Sequence, residues 1–170
     1  PYDYLVWYYG VQYLPGWCQM RGGDYAADYT KVGENGGQGS QYIATLTYLN
    51  RLKLYLASLG NSTEVAKYNG YQAAINILTV YLGIFDTDMF GSTPYLEACH
   101  YDDLGILTPK FDNVETLYNT WLGELDECIT MLRTEGLEKN ARQDPVYGCD
   151  WSKWAKLANS LKLKIAVRLL

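Results

Sequence analysis

Apolar residues return in steps of three and four through five segments of this chain, and no stretch sustains the two-residue alternation of a half-buried strand. That periodicity predicts helices over 3–14, 42–59, 63–85, 113–134 and 151–170. In the second, Ile43, Leu46, Leu49, Leu52 and Leu56 face inward and Gly60 stands at the terminating position. The third opens on Asn61 with Glu64, the spacing of a capping box, and buries Val65, Ala73, Ile77, Leu78, Tyr81 and Phe85. Gly70 in its middle either weakens it by about 1 kcal/mol relative to Ala or lets another helix approach closely. The fourth, capped by Asp112 with Glu115, turns Val114, Leu117, Tyr118, Trp121, Leu122, Leu125, Cys128, Ile129 and Leu132 to the core. Asp150 caps the last, whose face is Trp154, Leu157, Ala158, Leu161, Ile165 and Leu169. Consecutive amphipathic helices of this length, joined by turns, stack as helical hairpins in an all-α layer.

The remaining composition mainly excludes. A chain of 170 residues makes one domain burying roughly 70% of its unfolded surface. A net charge of −5 lacks the basic face that phosphate binding needs, so no nucleic-acid partner is expected. No apolar stretch approaches the ~18 residues of a membrane span. Cys18, Cys99, Cys128 and Cys149 show no C-x-x-C spacing, and His100 is the only histidine, so neither a metal nor a cofactor is expected. Neighbouring side chains seldom point together, which makes Cys99-His100 a poor nucleophile–base pair. Two disulfides in three connectivities are open to the four cysteines, and spacing does not choose among them.

The stretch "FDTDMFGSTPYLEA", residues 85–98, closes the third helix. Catalysis there would need two carboxylates facing one substrate. Asp86 and Asp88 stand two residues apart, so on a helix they diverge by about 200°. An architectural turn fits better: Gly91 supplies a positive φ, Pro94 fixes the chain after it, and Asp88 accepts backbone N–H bonds within the loop.

Asp88-x-x-Gly91-x-x-Pro94-Tyr95-x-Glu97-Ala98 resembles the D-x-x-G-d-x-P-Y-s-E-A turn of the SusD/RagB outer-membrane nutrient-binding lipoproteins of Bacteroidetes. In family order follow "Pro109-Lys-Phe111-Asp112", Leu117-Tyr118 with Glu124-Leu125-Asp126, and "Gln143-Asp144-Pro145-Val146-Tyr147-Gly148-Cys149-Asp150". The stretch from Trp154 through Ala158-Asn159-Ser160-Leu161 to Arg168 is similar to the family's W-x-k-f-A-N-S-L-k-l-R-l-a-x-R pattern. Lys164 stands where Arg is more usual, and Ser92-Thr93 replaces Asp-Ile. The motifs cover 85–170 well, 41–84 by helix pattern only, and the first 40 residues weakly.

The resemblance implies tetratricopeptide-like helical hairpins in a right-handed α-α superhelix. The chain, 1–170, is then a single helical domain, the N-terminal part of a longer SusD-like protein whose lipidated cysteine lies upstream. It implies a non-enzymatic, surface-exposed outer-membrane lipoprotein, touching the membrane only through that anchor. Such proteins deliver oligosaccharides to a SusC-like TonB-dependent outer-membrane transporter, which the helical repeats contact. The alternative is a non-enzymatic helical-repeat scaffold for protein–protein interaction.

Sugars offer apolar C–H faces and edge hydroxyls, so a neutral-glycan site needs ring platforms with polar groups beside them. One ring burying ~100 Å² contributes roughly 2.5 kcal/mol before ordering costs, and millimolar affinity needs about 4.1, so two or three rings must act together. Residues 15–40 form a long loop holding seven of the 16 glycines, and they have that composition. Trp17, Arg21, Tyr25, Asp28 and Tyr29 are the candidate ligand-binding residues, with Asp24 and Gln41 nearby. The same rings are also suited to plugging a helical core. Tyr147, Trp151 and Trp154 belong to the fold, and no catalytic or metal-ligating residue is expected.

Overall fold

The computed structural model describes residues 40–60 and 63–170. Among the described residues six helices run in chain order: α1 (Ser40–Ser58), α2 (Thr63–Ala66), α3 (Asn69–Phe90), α4 (Tyr101–Leu104), α5 (Val114–Leu132) and α6 (Trp151–Arg168). The described residues form no strand; Thr93 and Asp112 make one isolated bridge. The helix expected over 3–14 lies outside them, as do Asn61 and Ser62.

α3 is the central element, packed against α1, α5 and α6, while α5 also packs on α6. By length and apolar composition α3 is capable of crossing a membrane, contrary to the sequence expectation. Here it is a core helix: Ala73, Ile77, Val80 and Ile84 are fully or almost fully enclosed. Two glycines let its neighbours close on it. A Cβ on Gly83 would stand 2.8 Å from Cζ2 of Trp121, and one on Gly70 would stand 2.8 Å from Cε2 of Trp151. Each indole occupies the space that a side chain on α3 would take, so Gly70 serves close approach.

The third predicted helix is two. α2 ends at Ala66, and α3 starts at Asn69 because the Lys67 carbonyl leaves the ladder to accept the Glu138 N–H at 2.8 Å. Tyr71 helps hold that loop, its hydroxyl accepting the Asn140 N–H at 2.9 Å. α3 then runs five residues past the expected end at Phe85, carrying Asp86 and Thr87 into the core. Tyr81, expected inside, is 39% exposed. Ile43, Leu52, Val65, Leu78 and Phe85 are half-buried at the rim, and Leu169, beyond α6, faces out.

Most of the α5 stripe agrees with its periodicity: Leu117, Tyr118, Trp121, Leu125, Cys128, Ile129 and Leu132 are buried, while Val114 and Leu122, expected inside, are half-buried. Its cap differs. Asn113, not Asp112, accepts the Thr116 N–H at 2.8 Å, which releases Asp112 for the preceding turn. Asp150 caps α6 as expected, accepting from Lys153 N. Cys99, Cys128 and Cys149 are free thiols; Cys18 lies outside the described residues.

Candidate functional site

The turn after α3 is built on backbone geometry and closed by carboxylates from elsewhere. Gly91 takes φ 80°, a left-handed angle costly for other residues, and its N–H returns to Thr87 O. Asp112 accepts the N–H groups of Tyr95 and Leu96, both at 2.9 Å, and donates its own N–H to Thr93 O. Thr93 is enclosed with its hydroxyl 3.3 Å from that of Thr87. Glu97 accepts the Lys110 N–H, and together with the Lys110 ammonium this holds its carboxyl below the usual range.

Asp88 does not serve the loop's own N–H groups, as the sequence suggested. Its carboxylate takes the Arg168 guanidinium on both oxygens, at 2.6 and 2.5 Å, and accepts the Tyr118 hydroxyl at 2.6 Å. Lys164 lies 3.8 Å away. The first acid of the turn motif and the last basic residues of the α6 motif are therefore one cluster joining α3, α5 and α6. Burial first, then the Asp88 bond, pushes Tyr118 up to about 12.

A second carboxylate organises the loop before α6. Asp144 accepts N–H groups from Val146, Tyr147 and Cys149 and the buried indole N–H of Trp154 at 2.7 Å. Burial opposes its charge, but these donors outweigh it and hold the pKa low. They also keep Cys149 at φ 62°. Tyr147 packs edge-on against Trp154 at 5.1 Å, in agreement with a fold-forming role. Beside this loop an open cleft of about 830 Å³ lies between the end of α5 and the start of α6. Leu132, Leu137 and Trp151 provide apolar wall, and Glu135, Lys139 and Asp150 provide polar wall.

The third polar group is internal. Tyr95 donates to Glu124 Oε2 at 2.7 Å, with Asn76, Lys53 and Cys128 around them. Burial raises the Glu124 pKa more than the Tyr95 bond and Lys53 lower it. Burial likewise pushes Cys128 up to about 12, which leaves it an inert core thiol.

None of these groups is an acid–base pair around open space. Asp86 is enclosed in the core, Asp88 is occupied by cations, and Glu97 is tied to Lys110. Cys99 and His100 serve different partners: the Cys99 sulfur meets the Thr47 hydroxyl at 3.2 Å, while His100 bonds Asp103 and Asn50. Among the described residues no three His, Cys, Asp or Glu side chains group as metal ligands would. Trp17, Arg21, Tyr25, Asp28 and Tyr29 lie outside the described residues. The Asp88–Arg168–Tyr118 cluster escaped the sequence reading, although both of its motifs were visible there.

Helical hairpins stacked on a central helix, with a carboxylate-braced turn between them, define an all-α repeat scaffold of the tetratricopeptide-like class. The model of the SusD-like family described as "Starch-binding associating with outer membrane" matches residues 13–170, and the chain belongs to that family. No curated protein matches it. Among solved structures it is similar to a SusD homologue from Parabacteroides distasonis, at 27% identity and TM-score 0.58, covering 75% of this chain and 24% of that one. It is also similar to a chitin-binding protein, at 29% identity and TM-score 0.56, covering 82% of this chain and 30% of that one. A Bacteroidetes AC2a SusD-like protein matches at 29% identity and TM-score 0.54, covering 71% and 21%. The chain thus spans under a third of the length of these relatives.

Proposed function

We propose that this chain is the helical part of a cell-surface lipoprotein that binds oligosaccharides and passes them to a SusC-like TonB-dependent transporter without chemically altering them. The observation that carries the reading is the family match over 13–170, which takes in the whole candidate loop with its three rings. The chitin-binding relative supports a glycan as ligand class. Trp17, Tyr25 and Tyr29 act as platforms, and Arg21 and Asp28 reach sugar hydroxyls at their edges. The braced helices serve stability rather than ligand contact. An upstream lipid anchor keeps the protein at the outer membrane.

A glycan array probed with full-length protein tests this. Selective binding of one glycan class, with no product released on long incubation, is the expected result. No binding across plant, fungal, bacterial and host glycans would remove the proposal.

A scaffold without a glycan ligand has one observation in its favour. Leu96, Tyr101, Leu104, Leu107 and Phe111 are all exposed between α3 and α5. In the reading preferred here that surface meets the transporter.

A further inference from the structure

The connection between α5 and α6, residues 133–150, is exposed along most of its length, yet hydrogen bonds fix its shape. The Glu138 N–H reaches Lys67 O at 2.8 Å and the Asn140 N–H reaches the Tyr71 hydroxyl at 2.9 Å, so its first half is pinned to the start of α3. Asp144 gathers the N–H groups of its second half. The Cys149 sulfur, 3.3 Å from Asn140 O, ties the two halves together. These bonds hold open the cleft of about 830 Å³, which is within the range of about 300–1,000 Å³ found for small-ligand sites. Its floor is apolar and rigid. Leu132, Cys149 and Trp151 are buried, and Trp151 is wedged against Gly70 and edge-on to Tyr71 at 5.4 Å. Leu137 stands half-buried beside them.

The rim is polar and balanced in charge. Asp150 is committed to the α6 cap and to the Lys153 ammonium at 3.4 Å. Glu135 and Lys139 are exposed and, among the described residues, neither enters an ion pair. Thr134 and Ser152 add exposed hydroxyls. A free carboxylate, a free ammonium and hydroxyls above an apolar floor offer acceptors and donors without net charge. That set suits a neutral polyhydroxylated ring with an apolar face. A phosphorylated ligand would need an excess of cations. A peptide would need a strand edge or an apolar groove of helical length. The described residues form no strand, and the floor is too short for a helix.

We propose that this cleft is a second saccharide subsite, formed at the α5–α6 connection rather than by the 15–40 loop. Glu135 accepts from sugar hydroxyls and Lys139 donates to them, while a C–H face of the ring lies over Leu132 and Leu137. Thr134, Glu135 and Lys139 all stand on the connection, so the helices keep their structural role and supply the floor. The subsite rests on the glycan reading above, but not on which rings of the 15–40 loop contact sugar. Its pinned walls lower the ordering cost of binding.

Methyl-resolved NMR of the full-length protein, titrated with triacetylchitotriose, maltotriose and the strongest glycan from the array, tests it. The Leu132 and Leu137 methyls should shift saturably at millimolar concentrations of at least one saccharide, and should not respond to trialanine. Glu135→Ala and Lys139→Ala, both at exposed positions, should each weaken that binding about five-fold, while unmoved Leu125 and Leu161 methyls report an intact core. Trp17→Ala, Tyr25→Ala and Tyr29→Ala, taken singly, should leave the Leu132 and Leu137 shifts in place. Methyls unmoved by every saccharide, shifts lost in a loop variant whose core methyls are unchanged, or an equal response to trialanine would overturn the proposal. A glycan that binds on the array without moving these methyls removes this subsite alone. An array without any binder removes the broader reading, and the two trisaccharides still decide the subsite.

Discussion

Gly83 sets how close α5 comes to α3. Replacing it by Ala gains about 1 kcal/mol of helix propensity but drives a methyl to 2.8 Å from the Trp121 ring, an overpacking that costs roughly 1–3 kcal/mol. We expect Gly83→Ala to be net destabilising in urea unfolding; a stabilised variant would show that Trp121 shifts freely. Asp144 and Glu124 work in opposite pH windows. The folded pKa of Asp144 is depressed, so its contribution is complete above the unfolded value near ~3.9 and is lost as pH falls through the folded value. Asp144→Asn should therefore cost about 1–3 kcal/mol at neutral pH, with the difference shrinking on acidification. Glu124 is the reverse: its raised folded pKa gives a contribution complete below ~4.3 and lost as pH rises through the folded value. Glu124→Gln keeps an acceptor for Tyr95 and should make the protein more stable than wild type at pH 7 but not at pH 4. Midpoints of unfolding across that range check both, and parallel wild-type and variant curves would contradict either assignment.

At the scale of elements, the Asp88–Arg168 pair ties the end of α3 to the end of α6 with bidentate geometry, the side chains being 24% and 33% exposed. Partial exposure discounts the charge, so a double-mutant cycle with Asp88→Asn and Arg168→Met should give a coupling of about 1 kcal/mol. A coupling near zero would reduce the pair to surface decoration. The long helices were legible because burial sets their period, and the α5 stripe came through at seven of its nine expected positions, Val114 and Leu122 being half-buried. The break at Lys67 was not, because it depends on the Glu138 N–H, 71 residues further along. The extension of α3 past Phe85 was missed because Asp86, Thr87 and Asp88 read as loop residues, whereas two are enclosed and the third meets cations from α6. Asp112 looked like a cap by its spacing to Glu115, but the neighbouring Asn113 took that task and Asp112 bound Tyr95 and Leu96 instead. Tertiary hydrogen bonds thus decided boundaries that local pattern left equivalent.

For the whole molecule, the family was legible because its motifs mark places where distant elements join: the Gly91 turn, the Asp144 loop and the α6 basic residues. The ligand-contacting residues carry no such constraint; ring stacking tolerates many arrangements, so Trp17, Tyr25 and Tyr29 rest on composition and family membership alone. We propose a division of labour, with braced helices for stability and the 15–40 loop for glycan recognition. Calorimetric titration of full-length Trp17→Ala, Tyr25→Ala and Tyr29→Ala with the strongest glycan from the array, beside each melting temperature, tests it most directly. Losing the best platform should remove about 1–3 kcal/mol of binding free energy while leaving the melting temperature nearly unchanged. Unchanged affinity in all three variants, or melting temperatures that fall together with affinity, would contradict the account and return these rings to the core.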